Sequence, residues 1–389
     1  MSRVLVDLQK KDMCLHKFLI FSLFLTFTFC VNAQKIQVDP LLSLNADLLQ
    51  VTEPLELWKN FLSCKNDTEG AKYWNQDEVK QYSDSTYFQL RDLDYFELGD
   101  YISNLKRGAT VLSISKIDSF YKITTMFSLK LEDSSIVTPF IFHVYAGIEM
   151  KSGKLKLYNP FPVNKQLYLK SCVYKNVNYI FPSDHRFNKR LANKQNQKIR
   201  TVENEFQSKL HQPMFIFSHN KEMLYRMLGY DFHFEISGND VPSGRADEKN
   251  NVVYSHGVDE YCPHELIHLL VNPKWPTAHL WFIEGFATYF GDSRGKDLDW
   301  HLQNLKQYLI QNPTVDFNTI SDKHSVDMYT DYRYVIGGLI VKLTYEKGGA
   351  ELVDKLMTFE DTELGFYKAI EDVLGVKRID FNGFVRRCL

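Results

Sequence analysis

Two histidines four residues apart, with a glutamate beside the first, constrain this chain more than any other stretch. Residues 264–268 read His264-Glu265-Leu266-Ile267-His268. Positions four apart share one face of an α-helix, so His264 and His268 project together if the segment is helical. Leu266, Ile267, Leu269 and Leu270 make the other faces apolar. The helix is therefore expected to be buried, and buried imidazoles need partners. Pro263 suits the first helical turn, Asp259 and Glu260 place negative charge near its start, and Asn272-Pro273 end it. Sixteen residues past His268 comes Glu284, in a second apolar segment, Trp281-Phe282-Ile283-Glu284-Gly285-Phe286-Ala287-Thr288-Tyr289-Phe290. His264, His268 and Glu284 together form a ligand set for Zn2+. Three protein ligands leave the fourth position of a tetrahedral zinc open, which marks a catalytic site and not a structural one. Glu265, beside the first ligand, is within reach of a water held there.

These two segments resemble the active helix and the third-ligand helix of the gluzincin zinc metallopeptidases, including the aminopeptidase branch with its Trp-x-x-Glu-Gly-x-Ala-x-Tyr pattern. The short gap between them is similar to that of the peptidase MA-like group. The resemblance implies peptide-bond hydrolysis with Glu265 as general base. It implies that Gly285 and Ala287 let the second helix come close to the first. Downstream, Tyr334-Val335-Ile336-Gly337 resembles the family's Tyr-x-x-Gly helix start. That likeness puts the oxyanion-stabilising role on Tyr334, with Tyr332 as its competitor. It also makes residues 251–254, just before the active helix, an edge strand that pairs with the substrate backbone. Thr288, one turn past Glu284, is the candidate for orienting a ligand where some gluzincins have a carboxylate. The aminopeptidase segment that binds a free amine has no match: Gly244-Arg245-Ala246-Asp247-Glu248 is different, so exopeptidase specificity is unsupported.

A net charge of −2 over 389 residues leaves no basic field for a nucleic acid. Residues 18–29 are apolar apart from Ser22, Thr26 and Thr28; Lys17 precedes them and Val31-Asn32-Ala33 fits a small-residue cleavage site. Residues 1–33 are therefore expected to be a secretory signal peptide, with translation starting at Met1 or Met13 and export completed by cleavage near Ala33. A lipidated Cys30 is the alternative, with Phe29 bulky for the preceding position. No integral membrane segment is expected in the mature chain, since no later run of eighteen apolar residues occurs. Cys64, Cys172, Cys262 and Cys388 are read either as disulfide partners or as buried thiols.

The fold class expected is α+β. Residues 40–182 read as an accessory domain, with helices at 54–63 and 69–82 and an antiparallel meander at 110–115, 121–131, 136–148 and 154–158. Residues 183–210 read as a solvated connecting helix. Residues 211–389 read as a mostly helical catalytic domain with a small edge sheet. Its strands are placed at 214–217 and 251–254, with a polar loop at 241–250. Its further helices are placed at 278–290, 298–311, 332–347, 350–359 and 365–374. The expected function is an exported zinc peptidase acting on a peptide or protein substrate. A non-catalytic zinc-binding module and a zinc hydrolase of non-peptide amides or esters are the alternatives.

Overall fold

The computed structural model describes residues 36–64, 67–81, 108–130, 133–318 and 325–389. The leader segment 1–33 and Cys30 lie outside them. The chain is α+β, built in three layers.

The first layer is an antiparallel meander. β2 (Ala109–Ile117), β3 (Phe120–Lys130), β4 (Ile136–Ile148) and β5 (Leu155–Tyr158) pair in sequence order, and β1 (Gln37–Val38) adds in parallel to β2. Gly153, at φ +64, makes the turn between β4 and β5. α1 (Pro40–Asn45) and α2 (Thr52–Leu62) precede the meander. α2 buries Leu55, Trp58 and Phe61, and Trp58 donates its indole N–H to Thr125 of β3 at 2.8 Å. The single helix expected at 69–82 is instead two short ones, α3 (Asp67–Ala71) and α4 (Gln76–Gln81). The fully buried Trp74 lies between them, and its neighbours pair with β5: the Asn75 N–H donates to Leu157 O, and the Leu157 N–H donates to Tyr73 O, both at 2.8 Å. Tyr82 lies outside the described residues.

The second layer is a mixed sheet ordered β10-β11-β8-β7-β6. Its strands are β6 (Leu169–Tyr174), β7 (Val177–Pro182), β8 (Met214–Ser218), β10 (Ser243–Asp247) and β11 (Val252–His256), and α5 (Pro160–Tyr168) leads into it. This sheet is larger than expected and begins earlier. The hairpin β6–β7 falls before residue 182, yet it pairs with β8. Conversely, β9 (Tyr230–His233) pairs with β4 of the first sheet. The boundary expected at 182/183 therefore does not divide the sheets. Successive side chains on a strand face opposite sides, which explains the uninterrupted apolar run of β8. Phe215 and Phe217 enter the helical core, while Ile216 enters the core shared with the first sheet.

The third layer is helical: α6 (Lys189–Phe206), α8 (Pro263–Val271), α9 (Leu280–Gly291), α10 (Leu298–Gln311), α11 (Tyr332–Leu356), α12 (Glu363–Leu374) and α13 (Phe381–Cys388); α7 (Lys221–Met227) packs elsewhere, beside β9. α6 is more than a solvated connector. It buries Ala192, Gln195, Ile199, Val202 and Phe206, and the Gln195 side chain accepts from the Cys262 N–H at 2.7 Å, where α8 begins. α11 kinks at Gly348–Gly349, with Gly349 at φ +62, so the break expected there is present. Among the described residues, no disulfide joins Cys64, Cys172, Cys262 and Cys388.

Candidate metal centre

α8 is short, opens with Pro263 in its first turn and is buried along most of its length. His264 and His268 face α9, which carries Glu284. His264 Nε2 is 3.3 Å from Glu284 Oε2, and His268 Nε2 is 3.5 Å from the same oxygen. The other nitrogen of each ring is already engaged. His264 Nδ1 lies 2.8 Å from the carbonyl oxygen of Asp292, which can only accept, so Nδ1 donates. His268 Nδ1 donates to Asn272 Oδ1 at 3.2 Å; the Asn272 amide is oriented by donating its own N–H to Glu248 Oε1 at 2.6 Å.

Both rings therefore turn Nε2 lone pairs toward a carboxylate. Such a triangle needs a positive species inside it, either a proton or a metal ion. With protons alone the cluster is strongly polarised. Burial by itself would lower the His268 pKa, but the Glu284 carboxylate outweighs burial and raises it to about 9. Burial by itself would raise the Glu284 pKa, but hydrogen bonds and charge from the two imidazoles hold it well below the ordinary carboxylate range. Two neutral imidazoles and one carboxylate, with donor atoms within 4.8 Å of one another, fit a zinc ion's ligand preference. The second-shell groups that orient a ligating histidine are present on both rings.

Glu265 opens into one pocket with His264, Gly244, Arg294 and Tyr334. The Tyr334 ring stands edge-on to His264, with centroids 5.7 Å apart and planes at 86°. Burial pushes the Tyr334 phenol up to about 12, which keeps its proton on and its hydroxyl a donor. Arg294 and Arg333 flank the ring at 5.4 and 5.5 Å. Tyr332 lies elsewhere, buried with its ring 5.3 Å from that of Phe317.

Three expectations about the surroundings are corrected. The strand at 251–254 forms as β11, but it is interior, between β8 and β10. Among the described residues the edge strand is β10, from the stretch expected to be a loop. Polar Ser243-Gly244-Arg245 conceals it, because this strand buries no side chain fully and edge strands commonly carry charged and polar residues in place of an apolar run. Gly244 brings this edge against the active helix: a Cβ there would lie 2.6 Å from Glu265 Cγ. Secondly, Gly285 does not face α8. It meets Gly337 and Gly338 of α11, where any Cβ would clash with their backbone; the glycine against α8 is Gly291, whose Cβ would come within 2.8 Å of His264 N. Thirdly, Thr288 orients no ligand. Its hydroxyl donates to Glu284 O within its own helix at 2.8 Å.

Asp292 and Asn272 are the orienting residues that the sequence reading missed. Asp292 caps α9, accepts from Tyr261 OH at 2.6 Å, and pairs with Lys198 of α6 at 3.0 Å. Asn272 was legible only as a helix terminator, although its spacing of four from His268 puts it on the same face. Cys262, beside this site, is a poor nucleophile, since burial pushes its thiol up to about 12.

No protein-family model matches this chain, and no curated protein matches it. Among solved structures, it is similar to an M1 zinc metallopeptidase from Deinococcus radiodurans at 10% identity and TM-score 0.29. A mutant of that protein bound to a Tyr-Ser-Ala substrate gives 10% identity and TM-score 0.32. A mutant two-domain M1 zinc metallopeptidase bound to L-tryptophan gives 9% identity and TM-score 0.30. In each case the match covers 72% of this chain and 62% of the other. Among the described residues, no helix is long and apolar enough to cross a membrane.

Proposed function

We propose that this chain is a zinc-dependent peptidase acting on peptide or protein substrates. One observation carries the reading: the His264, His268 and Glu284 donors converge beside a pocket that holds Glu265 and Tyr334, next to β10, the outermost strand of its sheet among the described residues. His264, His268 and Glu284 would hold the ion. When bound, zinc supplies a Lewis acid that makes water nucleophilic near neutral pH and polarises a carbonyl. Glu265 accepts the proton of the attacking water and passes it to the leaving amine. The Tyr334 hydroxyl donates to the oxygen that gains charge as the carbonyl becomes tetrahedral. An extended peptide laid along β10 would have its scissile bond oriented over Glu265. The pocket continues along this strand into a hollow that shares Pro242, Ser243, Gly244 and Arg294 with it, giving a peptide room to lie along the edge.

The test is cleavage of a diverse quenched-peptide library by the purified chain, stripped with a chelator and then reloaded with Zn2+. Cleavage restored by zinc and abolished in Glu265→Gln supports the reading. A zinc-loaded protein that cleaves none of the library overturns it. We further propose export with cleavage near Ala33. A mature N-terminus at Gln34 supports this, and one at a lipidated Cys30 sinks it.

A further inference from the structure

A second group of metal-ligating side chains lies on the other side of the segment that enters α8. His185 follows β7, His219 follows β8, and Asp259 precedes α8. One donor atom from each lies within 4.8 Å of the others. The hydrogen-bond geometry fixes what these groups present. His185 Nε2 is 2.7 Å from Oε1 of Glu260, a fully buried carboxylate, so Nε2 donates. His219 Nδ1 is 2.9 Å from Asp259 Oδ1, so it donates as well. The remaining nitrogens, His185 Nδ1 and His219 Nε2, then face each other across 3.3 Å. Two lone pairs at that distance repel unless a cation lies between them. Ligands at the usual zinc–nitrogen distance on a tetrahedral ion stand about 3.3–3.4 Å apart, which is this spacing.

The charge around the pair favours a divalent ion over a single shared proton. Asp259 and Glu260 are adjacent carboxylates. Glu260 Oε1 also accepts from the Asn188 N–H at 2.6 Å, while Glu260 Oε2 is buried and, among the described residues, has no hydrogen-bond partner. A carboxylate that orients a ligand histidine from behind is the common second shell of a metal site.

We propose that His185 Nδ1 and His219 Nε2 hold a second divalent metal ion, an imidazole-preferring one such as Zn2+, Ni2+ or Cu2+, with Glu260 and Asp259 as the positioning residues for His185 and His219. The site ties the loops after β7 and β8 together beside the start of α8. It does not depend on the peptidase reading.

The experiment strips the mature full-length chain with a chelator, titrates it calorimetrically with Zn2+ alone, and counts metal after gel filtration. Wild type should bind two ions per chain. His219→Ala, a half-exposed position, should bind one; His268→Ala should bind one; the double variant should bind none. Asp259→Asn keeps a residue that tolerates the φ of +50 at this position, so it gives a second variant with little risk to folding. It should bind the second ion about 10–100-fold more weakly, since Asp259 orients His219. Glu260→Gln should weaken the second site about 10–100-fold and leave the first unchanged. The proposal is overturned if wild type binds one ion and His219→Ala still binds it, or if the second ion binds only at millimolar zinc. If His268→Ala keeps its ion while His219→Ala loses one, the proposal stands and the first ligand assignment fails.

Discussion

The two histidine clusters flank the same segment, yet they are built differently. In the first, both histidines are buried and the donors come from two helices. In the second, His185 is buried, but the side chains of His219 and Asp259 are 53% and 37% exposed, and the two histidines come from two loops. The backing differs as well. The first pair of rings is oriented by neutral groups, the Asp292 carbonyl and the Asn272 amide. The second pair is oriented by carboxylates, Glu260 and Asp259. With a divalent ion in each, the first cluster carries one compensating ligand charge from Glu284 and keeps an excess of positive charge. The second is neutralised by two carboxylates. An ion with excess charge is the better Lewis acid, so the first cluster is suited to chemistry and the second to holding loops together.

The largest expected effect separates these roles at one residue. Glu265→Gln is nearly isosteric and leaves every candidate ligand in place. Turnover should fall by about 10²–10⁴-fold, while metal content and thermal midpoint stay near wild type. An unchanged rate, with contaminating proteases excluded, would remove the chemical role from the first cluster and leave two holding sites. Tyr334→Phe should lose on the order of 10²-fold in kcat with zinc retained. Tyr332→Phe, in the core against Phe317, should leave kcat within a few-fold. A large loss at Tyr332 and none at Tyr334 would move the donor role by two positions.

Next in size is a test of the backing groups. Asn272→Leu removes the acceptor of His268 Nδ1 and frees that ring to rotate. Zinc affinity at the first cluster should fall by about 10–100-fold, with the second cluster unaffected. Equal weakening at both sites would mean that the variant acts through the fold as a whole.

The same contrast explains what could be read from the sequence. His264, Glu265 and His268 sit at helical spacing within five residues, and Glu284 lies on the next helix, so periodicity alone brings them together. His185, His219 and Asp259 are separated by 34 and 40 residues. No local pattern signals their meeting; only the parallel pairing of β7, β8 and β11, which aligns the C-terminal ends of these strands, does so. The meander of the first layer was legible because its strands follow one another in sequence. The second sheet was legible only in part. Crossovers through α6 and the loops after β8 separate its paired strands, and the polar edge strand β10 carries no apolar alternation. Gly285 was correctly singled out as a close-approach residue, but its partner was misassigned, since a sequence does not say which of two neighbouring helices a glycine faces.

Gly285→Ala tests that corrected partner. The added methyl would force α9 from α11, and overpacking of this kind costs about 1–3 kcal/mol. The shift also changes the separation of Glu284 from Tyr334, so activity should fall while the second cluster keeps its ion. A variant as stable and active as wild type would show that the two helices have slack at this crossing.

The smallest effect bears on how the clusters are to be compared at all. Acid releases metal from histidine sites, but it also loosens this fold through a residue remote from both. His233 of β9 is fully buried, its ring 4.6 Å from Tyr225, with Nδ1 accepting from the Glu235 N–H at 3.2 Å. Burial, helped by the charge of Lys221, lowers its pKa from 6.5 to about 4. The sign follows from which state takes the proton. Below pH 6.5 the unfolded chain protonates this imidazole while the folded chain refuses it. The stabilisation from neutral His233 is therefore complete above pH 6.5, is lost as pH falls toward 4, and changes no further below that. From pH 7.5 to 6 the loss is on the order of 1 kcal/mol. Urea midpoints at pH 7.5 and 6 should converge in His233→Gln relative to wild type, because glutamine does not titrate. If the variant keeps the full pH dependence, another group carries it. If it flattens, zinc release compares the affinities of the two clusters cleanly only above pH 6.5, and release at lower pH mixes ligand protonation with unfolding of the layer that β9 helps to hold.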